Sequence, residues 1–583
     1  MMGFFLLYKW FINYLIILLV GVQYCIGQLA NFDSTKIFVM PSLTPKTSAL
    51  GFFNAYHLLR RTTYNITKAR INYFAAKTPD QALNELFTFT APSPPSPLNN
   101  NGETIVPTVA NPTITDTLST ANSVVYDNYW WMYQAMKDPS AQYKIVYWLH
   151  LLFVTDNDAS FFTNFDYKEL LRFHTNGSLK DLAIRVTLDP RMLIFLNNNV
   201  NKKNSPNQNY AREFLELFTI LKGPQIGTGN YTNYTETDVQ QAAKVLTGFT
   251  LTSATQLNKT ARLNTVDPVT QLPKGYIDVT THDITNKTFS SAFGGTVITG
   301  ANTVSTIQTE FESFITMIFN QDEAARAYCR RMYRYFVGRN ITSDIETNII
   351  VPLAATLKTN GYNILPVLRI LLSSKHFYDE EDSIAGDQTI GSLVRSPLEL
   401  YFHMFSLLQL STPLYSANPS SLHSFLSTIS SYAQNSGMPV FRPQSVNGYA
   451  AYSSSPNYDK NWITTSSLRI RYSNSIDILI NGTTQNGFLY KLNLPLFVKD
   501  SGNFQNPADA VQLVSEFCEL LFVDFPPATR LDYFKSVFLN GLSVINWQNE
   551  WNNYLTTGNA TNVKIPIDRL VKALIKSPEF QTM

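Results

Sequence analysis

The chain has 583 residues, of which 15% are charged and 13% aromatic, and its formal net charge is +2. A chain of this length can bury a large hydrophobic core and form several domains. The near-neutral balance, without a dense run of Lys or Arg, argues against nucleic acid as a partner.

The N-terminus, residues 1–27, has the layout of a secretory signal peptide. Lys9 precedes an apolar run from about Trp10 to Val22, and small residues follow, with Gly27 as the expected cleavage point. The run is shorter than the roughly 20 apolar residues of a membrane-spanning helix, although an uncleaved anchor is an alternative. We therefore expect an exported chain in the periplasm, at the cell surface or secreted, with no membrane span after signal removal.

Removal of the signal leaves two cysteines, Cys329 and Cys518. They can form a disulfide in an oxidising compartment or remain two buried thiols, and the sequence leaves both states open. Neither lies in a C-x-x-C pair, so thiolate-metal and redox chemistry have no support.

Apolar residues at three- and four-residue spacing predict a mainly α-helical fold that runs as one region from residue 48 to the C-terminus. N-terminal helices are expected over 48–89, a Pro/Asn-rich loop over 90–121 and a helical core over 122–249. The Thr-rich, β-branched stretch 250–306 predicts a small β-hairpin insertion. Helices separated by long Ser/Asn/Pro-rich loops are expected over 307–583.

Several enzyme motifs are missing from the sequence. No His is followed by Glu, no Gly is followed by Lys, and no Gly-x-Ser-x-Gly segment occurs. These absences remove the zincin helix, the Walker phosphate loop and the commonest esterase arrangement.

The most informative polar cluster lies in the segment SPNQNYAREFLELFTI. On a helix, four polar residues share an arc of about 100° opposite an apolar face: Asn209, Arg212, Glu213 and Glu216. Asn207 is placed to cap this helix, and Arg212 and Glu216 have the i,i+4 spacing of an ion pair. Two interpretations stay open. The arc is either the exposed face of an ordinary helix or part of a site. In that site Arg212 and Glu213 would be catalytic, and Asn207, Asn209 and Glu216 would bind the ligand.

Two further positions are candidates for chemistry. His282 and Asp283 head the predicted hairpin, and a His-Asp pair can ligate a divalent cation or act as an oriented base. The alternative is a turn in which Asp283 accepts hydrogen bonds from amides two residues on. His174, near the predicted end of a helix, is a candidate binding residue. A divalent metal is the only cofactor that these residues suggest.

Blocks along the whole chain resemble an exported bacterial family, domain of unknown function 1800. The signature is SPNQNYAREFLELFTI followed by YTETDVQQAAKVLTGF. Further blocks match in order: LLRRTTY, KIVYWLHLLF, DPRMLIFLNN, HDITNKTF, VRSPLEL and FRPQSVNGYAAY. The family is similar in being exported, largely helical and without an established activity, and its genes often lie beside those of a sulfatase-like exported family. The resemblance implies a sulfatase-like exported partner, and the style of the sequence is similar to that of Bacteroidota proteins.

The chain departs from the family pattern at positions that a metal site would use. Relatives commonly carry two histidines around an asparagine where this chain has His150 followed by Leu151 and Leu152. They commonly carry Glu where Gln208 stands. A metal site built on those residues would lack two ligands here.

Two functions of different class follow. The first is a binding or assembly component at the bacterial cell envelope, which handles a surface polysaccharide or docks on the sulfatase-like partner. Low charge, missing catalytic motifs and aromatic segments such as YWWMYQ support it, since aromatic rings can stack on sugars. The second is a hydrolase whose carboxylate or metal site requires four residues to converge: Arg212, Glu213, His282 and Asp283.

Overall fold

The computed structural model describes these residues: 41–112, 114, 125–156, 161–251, 259–381, 388–473 and 475–583. Within them the protein is mainly α-helical with short antiparallel hairpins, which confirms the predicted fold class. None of the described helices is both long enough and apolar enough to span a lipid bilayer. The predicted signal peptide lies outside the described residues.

The helices follow one another in three groups. The first comprises α1 (Gly51–Thr62), α2 (Lys68–Ala75), α3 (Pro79–Leu86), α4 (Tyr126–Lys137), α5 (Gln142–Leu152), α6 (Phe161–Phe173), α7 (Leu179–Thr187), α8 (Pro190–Phe195) and α9 (Gln208–Glu213). The second comprises α10 (Glu236–Val245), α11 (Val304–Phe319), α12 (Asp322–Phe336), α13 (Ser343–Ile345), α14 (Val351–Thr359), α15 (Ile364–Ser373), α16 (Pro397–Leu407) and α17 (Pro419–Asn435). The third comprises α18 (Ala450–Ser453), α19 (Thr465–Ser473), α20 (Ser475–Asn481), α21 (Leu494–Asp500), α22 (Ala510–Leu521), α23 (Ala528–Leu539), α24 (Val544–Thr557), α25 (Thr561–Ile575) and α26 (Pro578–Gln581).

Tighter and wider helical turns interrupt or extend these helices. The 3₁₀ turns are His174–Asn176, Asn198–Val200, Ala261–Asn264, Ser291–Phe293, His376–Tyr378 and Tyr458–Trp462. The π-helical turns are Phe214–Phe218, which continues α9, and Glu346–Ile350, which joins α13 to α14.

The strands form four two-stranded antiparallel pairs in the described part of the chain. They are β1 (Gln225–Gly227) with β2 (Asn230–Tyr231), β3 (Phe249–Thr250) with β4 (Tyr276–Ile277), β5 (Lys287–Thr288) with β6 (Val297–Ile298), and β7 (Thr483–Gln485) with β8 (Phe488–Tyr490). The β5–β6 hairpin lies in the Thr-rich stretch that predicted it, and its turn uses Gly294 and Gly295, both at φ +66°.

A continuous hydrophobic core joins helices that are far apart in sequence. Trp131 of α4, for example, packs edge-on against Phe441, with ring centroids 4.8 Å apart. Trp130 and Trp131 are each 1% exposed, so the two indole rings of the segment YWWMYQ serve the core and cannot stack on a sugar.

The interior also holds charged side chains. Lys144 pairs with Glu399, and three similar pairs are buried at both partners: Lys168 with Asp127, Arg262 with Asp166, and Lys287 with Glu310. Charges away from water are costly unless they are paired and hydrogen-bonded, so these pairs fix how the helices meet.

Both described cysteines, Cys329 and Cys518, are free and buried. Of the two states that the sequence left open, the structure has the two buried thiols. Burial raises the pKa of the Cys518 thiol to about 12, which keeps it protonated and unreactive at neutral pH.

Candidate functional site

The signature segment forms α9 and the π turn that follows it. Its apolar side is buried as predicted, with Phe214 and Phe218 among the core residues. A π turn leaves backbone carbonyls out of the regular pattern. Here α12 occupies them, since Arg331 Nη1 donates to Leu217 O at 2.7 Å and Tyr328 Oη donates to Phe218 O at 2.7 Å.

Arg212 pairs with Glu236, the first residue of α10, and the predicted i,i+4 pair with Glu216 is wrong. Arg212 Nη1 and Nη2 donate to the two Glu236 carboxylate oxygens at 3.0 and 2.7 Å. The π turn begins at Phe214 and moves Glu216 out of the position that a regular α-helix would give it. Both side chains of the observed pair are about one-third exposed, at 34% and 36%, so the pair contributes about 0–1 kcal/mol.

The two glutamates of the predicted arc face different surroundings. Glu216 accepts a hydrogen bond from Tyr234 Oη at 3.0 Å and forms an ion pair with Lys222. Glu213 is half-buried, and burial together with the neighbouring Glu216 carboxylate raises its pKa. The arc is therefore a partly exposed network of ion pairs at the surface.

Asn207 and Asn209 tie the start of α9 to the preceding turn. Asn207 Oδ1 accepts from the Asn209 amide at 2.9 Å, which confirms the predicted N-cap. Asn207 Nδ2 and Asn209 Nδ2 donate to the carbonyl oxygens of Asn197 and Leu196 at 3.3 and 3.2 Å. Both amides satisfy backbone groups in this arrangement.

His282 and Asp283 lie where the β5–β6 hairpin meets the end of α10. His282 Nδ1 faces Thr247 O at 2.7 Å, and its Nε2 faces Glu310 Oε2 at 3.2 Å, so protein acceptors occupy both ring nitrogens. Asp283 Oδ1 accepts from the Thr285 amide at 2.8 Å, which is the turn that the alternative interpretation predicts.

Helix α10 separates this histidine from the signature arc. Arg212 is bound at the first residue of the helix, Glu236, whereas His282 is bound at Thr247, just beyond the last residue. At about 1.5 Å of rise per residue, α10 is about 14 Å long from Glu236 to Val245. Metal ligands must all lie within about 2.0–2.6 Å of one ion, so Arg212, Glu213, His282 and Asp283 do not share a centre. Across the described residues, no three or more His, Cys, Asp and Glu side chains cluster as a metal site would require.

A half-open cavity of about 550 Å³ lies between α7, the segment 265–275 and the start of α11. Apolar side chains of Ile184 and Leu188 form part of its wall. Charged and polar side chains surround them: Asp181, Arg185, Asp189, Asp267, Lys274, Gln308 and Glu312. Its volume falls within the range of small-ligand sites.

The carboxyl groups of this cavity differ in acidity. Asp189 caps α8, since its Oδ1 accepts from the amides of Arg191 and Met192 at 2.8 and 3.2 Å. Burial nevertheless raises the pKa of Asp189 to about 8. Burial opposes ionisation of Asp267 too, but the amides of its own turn and the ion pair with Arg185 together lower its pKa.

His174 is the predicted binding residue that lies nearest this cavity. Its side chain is buried within the electrostatic reach of Arg185 and Asp267, both of which line the cavity. Burial, followed by the Arg185 charge, lowers the pKa of His174 to about 4, so the imidazole is neutral at pH 7.

A second polar centre lies deep between α1, α5 and α16. The ammonium of Lys144 forms an ion pair with Glu399, and their side chains are 1% and 4% exposed. The other Glu399 oxygen accepts from the Ser396 amide at 2.7 Å in the capping box of α16. Burial alone would raise the pKa of Glu399, but Lys144 and the donors of Ser396 hold it below its ordinary value.

Buried tyrosines and a narrow cavity adjoin this pair. The cavity has a volume of about 20 Å³, and Glu399, Tyr335, Tyr452 and Asp459 are among its lining residues. A volume of that size holds a single water. Burial, with Glu399 nearby, raises the pKa of Tyr452 well above its ordinary value, so its hydroxyl stays protonated.

Residues 57–582 match the model of a family described as "Protein of unknown function (DUF1800)". The chain belongs to this family. No curated protein and no solved structure matches the chain. Membership confirms the resemblance carried by the signature segments and leaves the activity of the family open.

Three of the blocks that resemble the family supply charged residues to the buried centre around Lys144 and Glu399. Arg60 and Arg61 come from LLRRTTY, Lys144 from KIVYWLHLLF, and Arg395 and Glu399 from VRSPLEL. None of these five is among the predicted site residues, because a charge in a helical segment is ordinarily solvated. The available signal was the position of each charge inside an apolar run, as in YKIVYWLHLL.

Proposed function

We propose that this family member is an exported binding component of the bacterial cell envelope, and that the cavity beside α7 holds a segment of a surface polysaccharide. The cavity of about 550 Å³, with apolar wall residues ringed by hydrogen-bonding side chains, carries this proposal. Saccharides present C–H faces that pack on apolar side chains and hydroxyl groups that donate to carboxylates and accept from Arg or Lys.

The charge of the lining narrows the ligand class. Burial keeps Asp189 protonated at neutral pH, which leaves the carboxylates of Asp181, Asp267 and Glu312 against the two cations of Arg185 and Lys274. Arg185 is already paired with Asp267. An acidic lining repels sulfated or uronate-rich polymers, so the proposed ligand is a neutral or amino-bearing saccharide.

The binding test uses neutral, amino-bearing and sulfated oligosaccharides in isothermal titration with the purified chain. We expect binding of a neutral or amino sugar, and a loss of at least tenfold in affinity, about 1.4 kcal/mol, in Asp181→Asn and Glu312→Gln. Asp532→Asn, an exposed carboxylate on α23, is the matched control and should bind as the wild type does. If all three variants bind the saccharide as tightly as the wild type, the saccharide does not bind in this cavity.

A hydrolase at the same cavity is the second candidate function. The observation that favours it is the split acidity of Asp189 and Asp267 in the lining of one cavity, since two carboxyl groups with separated pKa values can serve as general acid and base. The protonated Asp189 would donate to the leaving oxygen, and Asp267 would activate water. The test measures whether the chain releases reducing ends from an oligosaccharide. Activity in the wild type that is abolished in a folded Asp189→Asn variant would favour hydrolysis over simple binding.

The sulfatase-like exported partner is proposed on the family resemblance alone. Co-expression of the chain with such a protein from the same gene neighbourhood, followed by affinity purification, tests it. Retention of the partner through a wash at high salt is the expected result, and its complete loss would contradict the proposal.

A further inference from the structure

Two arginines next to the Lys144–Glu399 pair differ from the other buried cations. Arg60 on α1 and Arg395 just before α16 are each 0% exposed. None of their six guanidinium nitrogens has a hydrogen-bond partner in the described part of the chain. Arginine stays charged in proteins, so each group carries a full positive charge in the interior.

The comparison with other buried cations of this chain shows how unusual this is. Lys168, Arg262 and Lys287 each contact a buried carboxylate. Arg61 and Arg471 donate to oxygens of the protein, including Thr389 O at 2.6 Å and Gln581 Oε1 at 2.8 Å. Arg60 and Arg395 instead lie over aromatic rings, with their Cζ atoms 4.2 Å from the Tyr56 centroid and 4.3 Å from the Phe580 centroid.

The edges of the two guanidinium groups converge near one hydroxyl. The buried Tyr56 hydroxyl lies within side-chain hydrogen-bonding reach of both Arg60 and Arg395, although neither contact has regular hydrogen-bond geometry. The two arginines also repel each other, which shows that they are close. Both nitrogens of the adjacent His57 ring are buried without a hydrogen bond of regular geometry, although one lies close to the backbone of Phe377.

The charges around this point add to the positive field. Burial, followed by the charges of Arg61 and Arg60, lowers the pKa of His57 well below its ordinary value, so the ring is neutral. The carboxylate of Glu399 attracts Arg395 through space, but its direct partners are Lys144 and the Ser396 amide. A buried charge without a direct partner is costly, and two such charges side by side cost more.

We propose that Arg60, Arg395 and the Tyr56 hydroxyl form a binding site for a small inorganic anion inside the protein. The guanidinium edges and the hydroxyl supply N–H and O–H donors, and the rings of Tyr56 and Phe580 cover the guanidinium faces. Charge-assisted hydrogen bonds to an anion would satisfy donors that the protein itself leaves unmet. The anion is a halide or a small oxyanion, since either supplies the negative charge and the acceptors.

The first test measures the unfolding midpoint of the purified chain against chloride, and separately against phosphate, at constant ionic strength with gluconate as the balancing anion. A rise that saturates is the expected result, and the anion that produces it separates a halide from an oxyanion. In Arg60→Met and Arg395→Met the rise should vanish. In gluconate alone these variants should be at least as stable as the wild type, because each lacks one uncompensated buried charge.

Two further variants sharpen the test. Tyr56→Phe should keep the saturating rise but shift its half-saturation about tenfold higher, through loss of one donor to a charged group. Arg330→Met, which removes a partly exposed arginine paired with Glu323 and Glu346, should keep the wild-type rise. An equal rise in Arg60→Met and the wild type would overturn the proposal.

The second test does not depend on folded variants or on release of the anion under native conditions. Wild-type protein is dialysed exhaustively into gluconate, denatured, and analysed for released anions by ion chromatography. One anion per chain is expected if the ion is trapped. The absence of released anion, together with a flat response of the midpoint to chloride and phosphate, would overturn the site.

Discussion

The Lys144–Glu399 pair provides the sharpest prediction about the interior. Replacing Glu399 by Gln keeps its size and its acceptor for the Ser396 amide but leaves the Lys144 ammonium buried without a counter-charge. Replacing Lys144 by Met removes the cation that pairs directly with the buried Glu399 carboxylate. The side chains are 1% and 4% exposed, so water cannot solvate the remaining charge in either variant.

The magnitude follows from this burial. Removal of one partner of a buried pair costs about 3–5 kcal/mol, whereas replacement of both partners is often neutral. The double variant Lys144→Met/Glu399→Gln should therefore recover most of the stability lost in each single variant. The expected coupling energy between the two positions is at least about 3 kcal/mol.

The exposed pair Arg212–Glu236 offers a matched control. Its side chains are 34% and 36% exposed, and its coupling energy should stay below about 1 kcal/mol. Urea denaturation followed by circular dichroism gives both cycles on the same chain. Equal coupling energies at the two pairs, or a double variant at Lys144 and Glu399 that is less stable than both single variants, would refute the reasoning.

Three further changes have defined outcomes. Because the pKa of Asp189 is about 8 in the folded chain, the folded state keeps a proton that the unfolded state loses. The resulting stabilisation is complete below about pH 4 and is lost towards pH 8, at about 1.4 kcal/mol per pH unit. In Asp189→Asn, the urea midpoint of unfolding should therefore vary less with pH between those two values than it does in the wild type. A Cβ at Gly300 would collide with the backbone oxygen of Ile284, so Gly300→Ala should destabilise by about 1–3 kcal/mol, whereas Gly338→Ala, which has room, should not. The buried, protonated Cys518 thiol should react with a thiol reagent only after denaturation, and modification at the rate of a free thiol under native conditions would contradict its burial.

Most of the helical fold follows from the spacing of apolar residues. The β7–β8 hairpin was not predicted, although its turn has the Asn-Gly sequence typical of two-residue hairpins, with Asn486 at φ +43° and Gly487 at φ +83°. The wrong Arg212–Glu216 pair has a different cause, because a π turn is not visible in a pattern that assumes 3.6 residues per turn.

The candidate sites were harder to predict than the fold. His174 was singled out and lies near the cavity, but Asp189 and Asp267 were not, because their meeting depends on the return of segment 265–275 to α7 and α8. Arg60 and Arg395 are far apart in the chain, and nothing in their local sequences shows that both are buried beside Tyr56. Burial and long-range contact decide both sites, and neither is encoded in local spacing.

The central claim is that the cavity beside α7 binds a saccharide, and hydrogen–deuterium exchange tests it most directly. The purified chain is compared with and without neutral or amino-bearing oligosaccharides from the envelope. The account predicts slower amide exchange in α7 and in segment 265–275, the walls of the cavity, with no change in the exposed helix α23. Unchanged exchange with every saccharide, or protection confined to segments away from the cavity, would contradict it.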